Sequence, residues 1–226
     1  MNNEEFKSRI CAEAETLVKE FFPRKITEYD SLLQENDFNL VNIFEVKKST
    51  TESLKELDQT GELTLESGET SSTCKPEQVF GTNEYITHLV ERLKPEIITL
   101  LEAVGTLRVW VILLIPKIED GNNFGVEVQE ETLAELKTVE QELAANQEQI
   151  AGYFLARAKV ISQLCKRPGV KDYKRYLEEE DEKQFVSLRL MVAELRNACS
   201  SLHDSINKNI DKIKTPRSRN AMSAIY

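Results

Sequence analysis

The residues best placed for chemistry form a polar turn between two apolar stretches. They are Lys117, Ile118, Glu119, Asp120, Gly121, Asn122, Asn123, Phe124 and Gly125. The carboxylates suggest a calcium site, but the alternating oxygen ligands and closing glutamate of an EF-hand are missing. No Gly-Lys-Ser/Thr follows, so the turn is not a P-loop. The glycines and asparagines at 121, 122, 123 and 125 tolerate positive φ, which predicts a single unusual loop shape suited to binding.

Other catalytic and metal-binding patterns are missing from the sequence. The only histidines, His88 and His203, lie near no cysteine or serine motif, and we interpret both as structural. The four cysteines lack C-x-x-C spacing, which argues against a zinc site or a disulfide framework. Adjacent Glu130 and Glu131 point in different directions on a helix. The sequence therefore predicts no enzyme activity, no cofactor and no metal.

Composition limits the class of protein. The chain has 226 residues, of which 8 are glycine and 6 proline, so it has few turns and an all-β fold is disfavoured. Its net charge of -10 argues against a general nucleic-acid binder. The N-terminus lacks the features of a signal peptide, and the longest apolar run, 109–115, is too short to span a bilayer. We expect an intracellular protein without a membrane segment, in the nucleus, the cytoplasm or both.

The elements that position the turn are helical. One domain, 1–226, is predicted to be all-α, with a first helical region at 1–47 that Pro23 kinks or restarts. Residues 48–76 are rich in Ser, Thr and Glu and are predicted to be a flexible linker. Helix 2 at 77–115, capped by Thr82 or Asn83, carries Trp110 in an apolar stretch that favours core or a subunit interface. Helix 3 covers 126–165.

Helix 4, at 172–214, has the clearest periodicity. Its apolar residues follow heptad spacing: Phe185, Leu188, Val192, Leu195, Cys199, Leu202 and Ile206. A coiled-coil pair would suit this spacing, but four helices with two short connections and one long one favour an elongated four-helix bundle. The Glu-rich stretch 176–183 is interpreted as a solvated first turn.

The last residues, 215–226, lose all periodicity after Pro216. A frayed chain end is the simpler interpretation from the residues alone. The alternative is a docking segment, because Ile225 and Tyr226 follow a polar spacer and place an apolar pair beside the terminal carboxylate.

Residues 115–126, Ile-Pro-Lys-Ile-Glu-Asp-Gly-Asn-Asn-Phe-Gly-Val, closely resemble the activation loop of the 11S (REG) proteasome activators. The resemblance covers most of 85–226, including Ser-Leu-Arg-Leu at 187–190 and Glu-Leu-Arg-Asn at 194–197. The ending Lys-Ile-Lys-Thr-Pro-Arg-Ser at 212–218 is similar to the gamma type of the family.

The resemblance implies a ring of seven protomers that activates the 20S proteasome without ATP and stimulates peptide hydrolysis. The loop at 116–125 would open the gate, and peptide substrates would pass in transit. Lys159 matches a lysine of gamma-like activators and faces either the channel or solvent. The docking tail at 215–226 would bind the proteasome α-subunit ring through Ala221, Met222, Ser223, Ala224, Ile225 and Tyr226.

A rival hypothesis is a homo-oligomeric helical scaffold or adaptor without proteasome activity. It explains the heptads of helix 4 equally well. It requires neither the glycine and asparagine turn nor an apolar end to a polar tail.

Overall fold

The structure is a computed structural model that describes residues 2–65, 81–119, 121 and 123–217, without the side chains of 56–65. Every regular element in the described part is helical. In chain order the helices are α1 (Asn3–Thr16), α2 (Phe22–Gln34), α3 (Ile43–Leu65), α4 (Glu84–Leu114), α5 (Phe124–Lys166) and α6 (Lys171–Lys214). A π-helical segment, Leu17–Phe21, joins α1 to α2, and short 3₁₀ turns, Asn36–Phe38 and Leu40–Asn42, join α2 to α3. The all-α prediction is confirmed.

Pro23 is accommodated without ending the first helical region. The π-helical segment immediately precedes it, and α2 begins at Phe22. Proline has no N–H to donate, and a π-bulge is one way to change the hydrogen-bond register around such a residue. The predicted kink or restart of the helix at Pro23 is therefore a change in the hydrogen-bond register of a continuing helix.

Residue contacts divide the chain into two units. The first contains the described residues of 2–30, 96–145 and 193–217, and the second those of 31–95 and 146–192. Each unit packs stretches from four helical regions, which confirms the four-helix bundle. The first unit has its core around Trp110, which is almost fully buried together with Phe22, Tyr29, Leu107 and Leu136.

The second unit contains a buried polar cluster centred on Asp181. The Asp181 carboxylate accepts hydrogen bonds from Thr50, Asn83 and Tyr153 at 2.8 to 3.0 Å. Arg157 lies beside it and donates to the carbonyl oxygen of Gly81 at 3.0 Å. Asn83 also accepts from the amide of Ile86, so it is the predicted cap of α4. The interpretation of 176–183 as solvated surface is wrong for Asp181, whose side chain is fully buried.

The prediction of a flexible linker at 48–76 is wrong for its first part, which is helical in α3. Helix α3 continues to Leu65, through the first part of the stretch 48–76; residues 66–80 lie outside the described part of the chain. Thr50 is fully buried against Asp181, and Leu54 packs on Val160, Leu164 and Leu177. These long-range contacts stabilise a helix that local composition does not favour.

The heptad residues of α6 occupy the positions that the spacing predicts. Phe185, Leu188, Val192, Leu195, Cys199, Leu202 and Ile206 are all fully buried. Helix α4 is long and apolar enough to cross a membrane by length and composition, a test that core helices also pass. It contributes Leu93 and Ile97 among many fully buried residues, as expected of a core helix.

Candidate functional site

The polar turn between α4 and α5 is largely exposed. Of its predicted residues, Lys117, Ile118, Glu119, Gly121, Asn123, Phe124 and Gly125 are described, whereas Asp120 and Asn122 lie outside the described part. The side chain of Ile118 is fully exposed, and that of Phe124 is more than half exposed. Large apolar side chains in such positions are available to a partner surface.

Backbone conformation in the turn differs from the expectation. Gly121 has φ of 133° and is the only described residue with positive φ, so neither Asn123 nor Gly125 uses that region. Asn123 precedes α5 and its carbonyl oxygen accepts from the amides of Val126 and Glu127. Gly125 lies in the first turn of α5. Only Gly121 needs the conformational freedom of glycine.

Gly125 is required for a different reason, which is space. A Cβ atom at this position would overlap the carbonyl oxygen of Pro216 and would lie 2.5 Å from its Cα. No side chain fits against a backbone at that distance. The residue therefore permits the chain leaving α6 to pack on the start of α5.

Arg217 joins the turn to the chain that follows α6. Its Nη1 donates to the carbonyl oxygen of Lys117 at 2.9 Å and to Oε2 of Glu119 at 3.2 Å. Its Nη2 donates to the carbonyl oxygen of Glu119 at 3.2 Å and to Oδ1 of Asn123 at 2.9 Å. Sequence reasoning missed Arg217, because a single arginine after a proline gives no sign of a partner about a hundred residues away.

The end of α6 is held by further contacts within the first unit. Gln129 donates to the carbonyl oxygen of Ile213 at 2.8 Å, satisfying one of the carbonyls left open at a helix C-terminus. Lys212 lies 5.9 Å from the ring centroid of Phe124. Lys214 pairs with Glu15 at 2.6 Å, and its hydrogen bond, with that of Lys19, lowers the pKa of the Glu15 carboxyl. The segment leading to the tail is thus well anchored.

The predicted tail residues Ala221, Met222, Ser223, Ala224, Ile225 and Tyr226 lie outside the described residues. Lys159 is exposed on α5, in the second unit. It lines a groove of about 550 Å³ whose walls include Leu155, Tyr173 and Tyr176. The groove is mainly apolar, and its polar lining residues are Lys159, Gln163, Asp172 and, through their hydroxyl groups, the two tyrosines.

Within the described ranges, no three His, Cys, Asp or Glu side chains are grouped in a way that would hold a metal ion. His88 lies 3.6 Å from Asp37, and His203 contacts Asn207 in the next turn of α6. Each histidine thus has a polar neighbour, and neither belongs to a described group of possible metal ligands.

Comparison with known proteins identifies the family. Residues 79–223 match the family Proteasome activator PA28, C-terminal, and residues 3–49 match Proteasome activator PA28, N-terminal. The chain is 43% identical over 236 aligned positions to Proteasome activator complex subunit 3 of Homo sapiens, covering 96% of this chain and 92% of that protein. This chain belongs to the PA28 (11S) proteasome activator family. The subunit 3 relatives are of the gamma type, as the ending at 212–218 predicted.

Solved PA28-type structures share the fold. The 11S subunit of the Plasmodium falciparum proteasome, PA28, superposes with a TM-score of 0.76 at 27% identity, covering 95% of this chain and 92% of that one. A chain from the structure of an archaeal 20S proteasome in complex with a mutated P26 activator superposes on this chain with a TM-score of 0.62, with full coverage of both chains. Its sequence identity is only 13%, so this match shows a shared fold and nothing more. The PA28 family regulates and does not catalyse, in agreement with the prediction that this chain is not an enzyme.

Proposed function

We propose that this PA28 chain activates the 20S proteasome without ATP, docking by its C-terminal tail and opening the gate with the loop 116–125. Family membership supports proteasome activation in general. The observation that carries the finer proposal is Arg217, which holds the loop at the point where the tail begins. A docked tail would therefore bring the loop to the same part of the partner surface.

Docking and gate opening place different demands on the chain. In a ring of seven protomers, each tail from 215 to 226 binds weakly and the seven together gain avidity. Ile225 and the carboxylate of Tyr226 enter pockets between α subunits. The loop must then stabilise the open gate more than the closed gate, since equal contacts would shift nothing. The fully exposed Ile118 is suited to such a contact.

Peptide hydrolysis remains the work of the proteasome in this proposal, and peptides pass through the ring in transit. Lys159 is a candidate to face them, because it is exposed and lines an apolar groove with two tyrosines. The protein would act inside the cell, in the nucleus, the cytoplasm or both, where 20S proteasomes are available to it.

The test is hydrolysis of short fluorogenic peptides by latent 20S proteasome. The full-length protein is compared with a form that lacks Ile225 and Tyr226, at matched concentrations of assembled ring. We expect strong stimulation by the full-length protein and its loss on truncation, because the anchoring carboxylate is displaced. An assembled ring that binds no proteasome and stimulates nothing would favour the scaffold hypothesis instead.

A further inference from the structure

Arg217 contacts both sides of the turn with one planar group. The carbonyl oxygens of Lys117 and Glu119 belong to the segment that follows α4, and Asn123 belongs to the segment that precedes α5. Gly121, with its positive φ, lies between them. A guanidinium presents its donors in a fixed fork, so it fixes the separation of the groups that it bridges.

Two of these bonds go to backbone carbonyls, and they constrain the path of the chain directly. The carbonyl oxygens of Lys117 and Glu119 each accept a hydrogen bond from the Arg217 guanidinium. The Arg217 side chain is largely covered, whereas the Glu119 carboxylate is largely exposed, so solvent screens that ion pair and the bonds to the carbonyl oxygens and to Asn123 are the more important ones. The loop therefore owes its shape to a residue outside it.

Arg217 itself is positioned by the end of α6. The amide of Thr215 donates to the backbone carbonyl oxygen of Asp211 at 2.9 Å, and Pro216 packs against Gly125 so closely that no Cβ fits. The tail continues from the next residue, Ser218. Arg217 therefore connects the start of the tail to the loop through its side chain.

We propose that Arg217 is the positioning residue of the activation loop and couples the seated tail to the loop's gate-opening shape. The inference rests on the proposed function and adds a residue to it. A seated tail restrains Arg217, and Arg217 holds the loop in the arrangement that contacts the gate. Coupling of this kind is reciprocal, so a correctly held loop also strengthens tail binding.

The first test uses the free protein. Trypsin cleavage after Lys117 is followed as the appearance of fragment 1–117, for the wild type, Arg217→Ala and Lys208→Ala. Cleavage needs a loosened loop, and we expect it to be faster by about tenfold or more in Arg217→Ala, because charge-assisted hydrogen bonds are lost. Lys208→Ala is the matched control, since it removes a cation of α6 that pairs with Asp204 one turn away on the same helix and leaves the four Arg217 hydrogen bonds intact.

The second test separates binding from activation. Proteasome affinity and maximal stimulation at saturating ring are measured for the same variants. For Arg217→Ala we expect a large loss of maximal stimulation, on the order of tenfold, with only a few-fold loss of affinity, because the residues that seat the tail remain. Arg217→Lys keeps the charge without the planar fork and is expected to fall in between. Complete rescue by lysine would overturn the geometric role.

Asn123→Ala tests the positioning role of Arg217 even if the Arg217→Ala variant folds poorly. It removes one acceptor of the guanidinium and leaves the tail sequence unaltered, so it should move both measurements in the same direction. Combined with Arg217→Ala it should add no further loss, since both changes remove one shared interaction. Wild-type cleavage and stimulation in these variants, or additive losses, would overturn the proposal. Failure of the wild type to stimulate would instead overturn the proposed function, and the cleavage rates would still test Arg217.

Discussion

Arg157 and Asp181 form an ion pair inside the second unit, with Nε of Arg157 3.3 Å from Oδ1 of Asp181 and both side chains almost fully buried. The pair connects α5 and α6, and through Thr50 and Asn83 it also reaches α3 and the start of α4. A buried charge is tolerated only when it is paired and hydrogen-bonded, and each member of this cluster depends on the others.

Asp181→Ala should destabilise the protein by about 3–5 kcal/mol, because it leaves the Arg157 guanidinium buried without its counter-charge. Urea unfolding at one fixed protein concentration measures the change. Glu179→Ala is the control: its partner Arg175 is exposed and the loss should be about 0–1 kcal/mol. Equal losses of unfolding free energy in the two variants would show that the buried ion pair contributes no more to stability than an exposed one.

The thiol of Cys199 should be unreactive in the native protein. Burial raises its pKa to about 12, from an ordinary value of 9.0, so almost no thiolate exists at pH 8. Cys11 and Cys165 are half-buried and should be alkylated before Cys199. Mass spectrometry of iodoacetamide-treated protein, with urea-unfolded protein as control, measures the order.

The same pKa shift has a consequence for stability. The unfolded thiol ionises near 9 and the folded one near 12, so the stabilisation is complete below pH 9 and is lost as pH rises towards 12. Replacing Cys199 by serine removes this contribution. A difference in alkaline stability between wild type and Cys199→Ser that does not change between pH 8 and pH 11 would contradict the prediction.

Gly125→Ala should impair activation without weakening helix α5. Alanine favours a helix over glycine by about 1 kcal/mol, but its Cβ overlaps the Pro216 backbone and must displace the segment that carries Arg217. We expect lower maximal stimulation of peptide hydrolysis and faster tryptic cleavage after Lys117. Gly105→Ala in helix α4 is the control, because its added Cβ would meet only Oε1 of Glu140, at an ordinary 3.9 Å, and it should leave both unchanged.

Asn122→Tyr should leave proteasome binding largely intact while abolishing stimulation. The substitution adds a bulky ring to the loop but changes neither Arg217 nor the tail sequence, so docking and gate opening should separate. Affinity is measured by surface capture of 20S proteasome and activity with fluorogenic peptides. Equal loss of affinity and stimulation would contradict the division of roles between tail and loop.

Much of the fold follows from local patterns in the sequence. The spacing of apolar residues in α6 predicted the residues that are buried, and Asn83 was among the predicted caps of α4. Proline, glycine and asparagine marked the turn after α4. These features depend on residues close together in the sequence, so they can be predicted without a structure.

Tertiary structure decided the remainder. In the stretch predicted as a linker, Thr50 and Leu54 of helix α3 are buried against α5 and α6. Asp181, predicted to be solvated, is buried beside Arg157. The loop is held by Arg217 through residues about a hundred positions earlier. Periodicity and turn propensity reflect the backbone of one segment, whereas these contacts depend on which distant side chains the packed helices bring together.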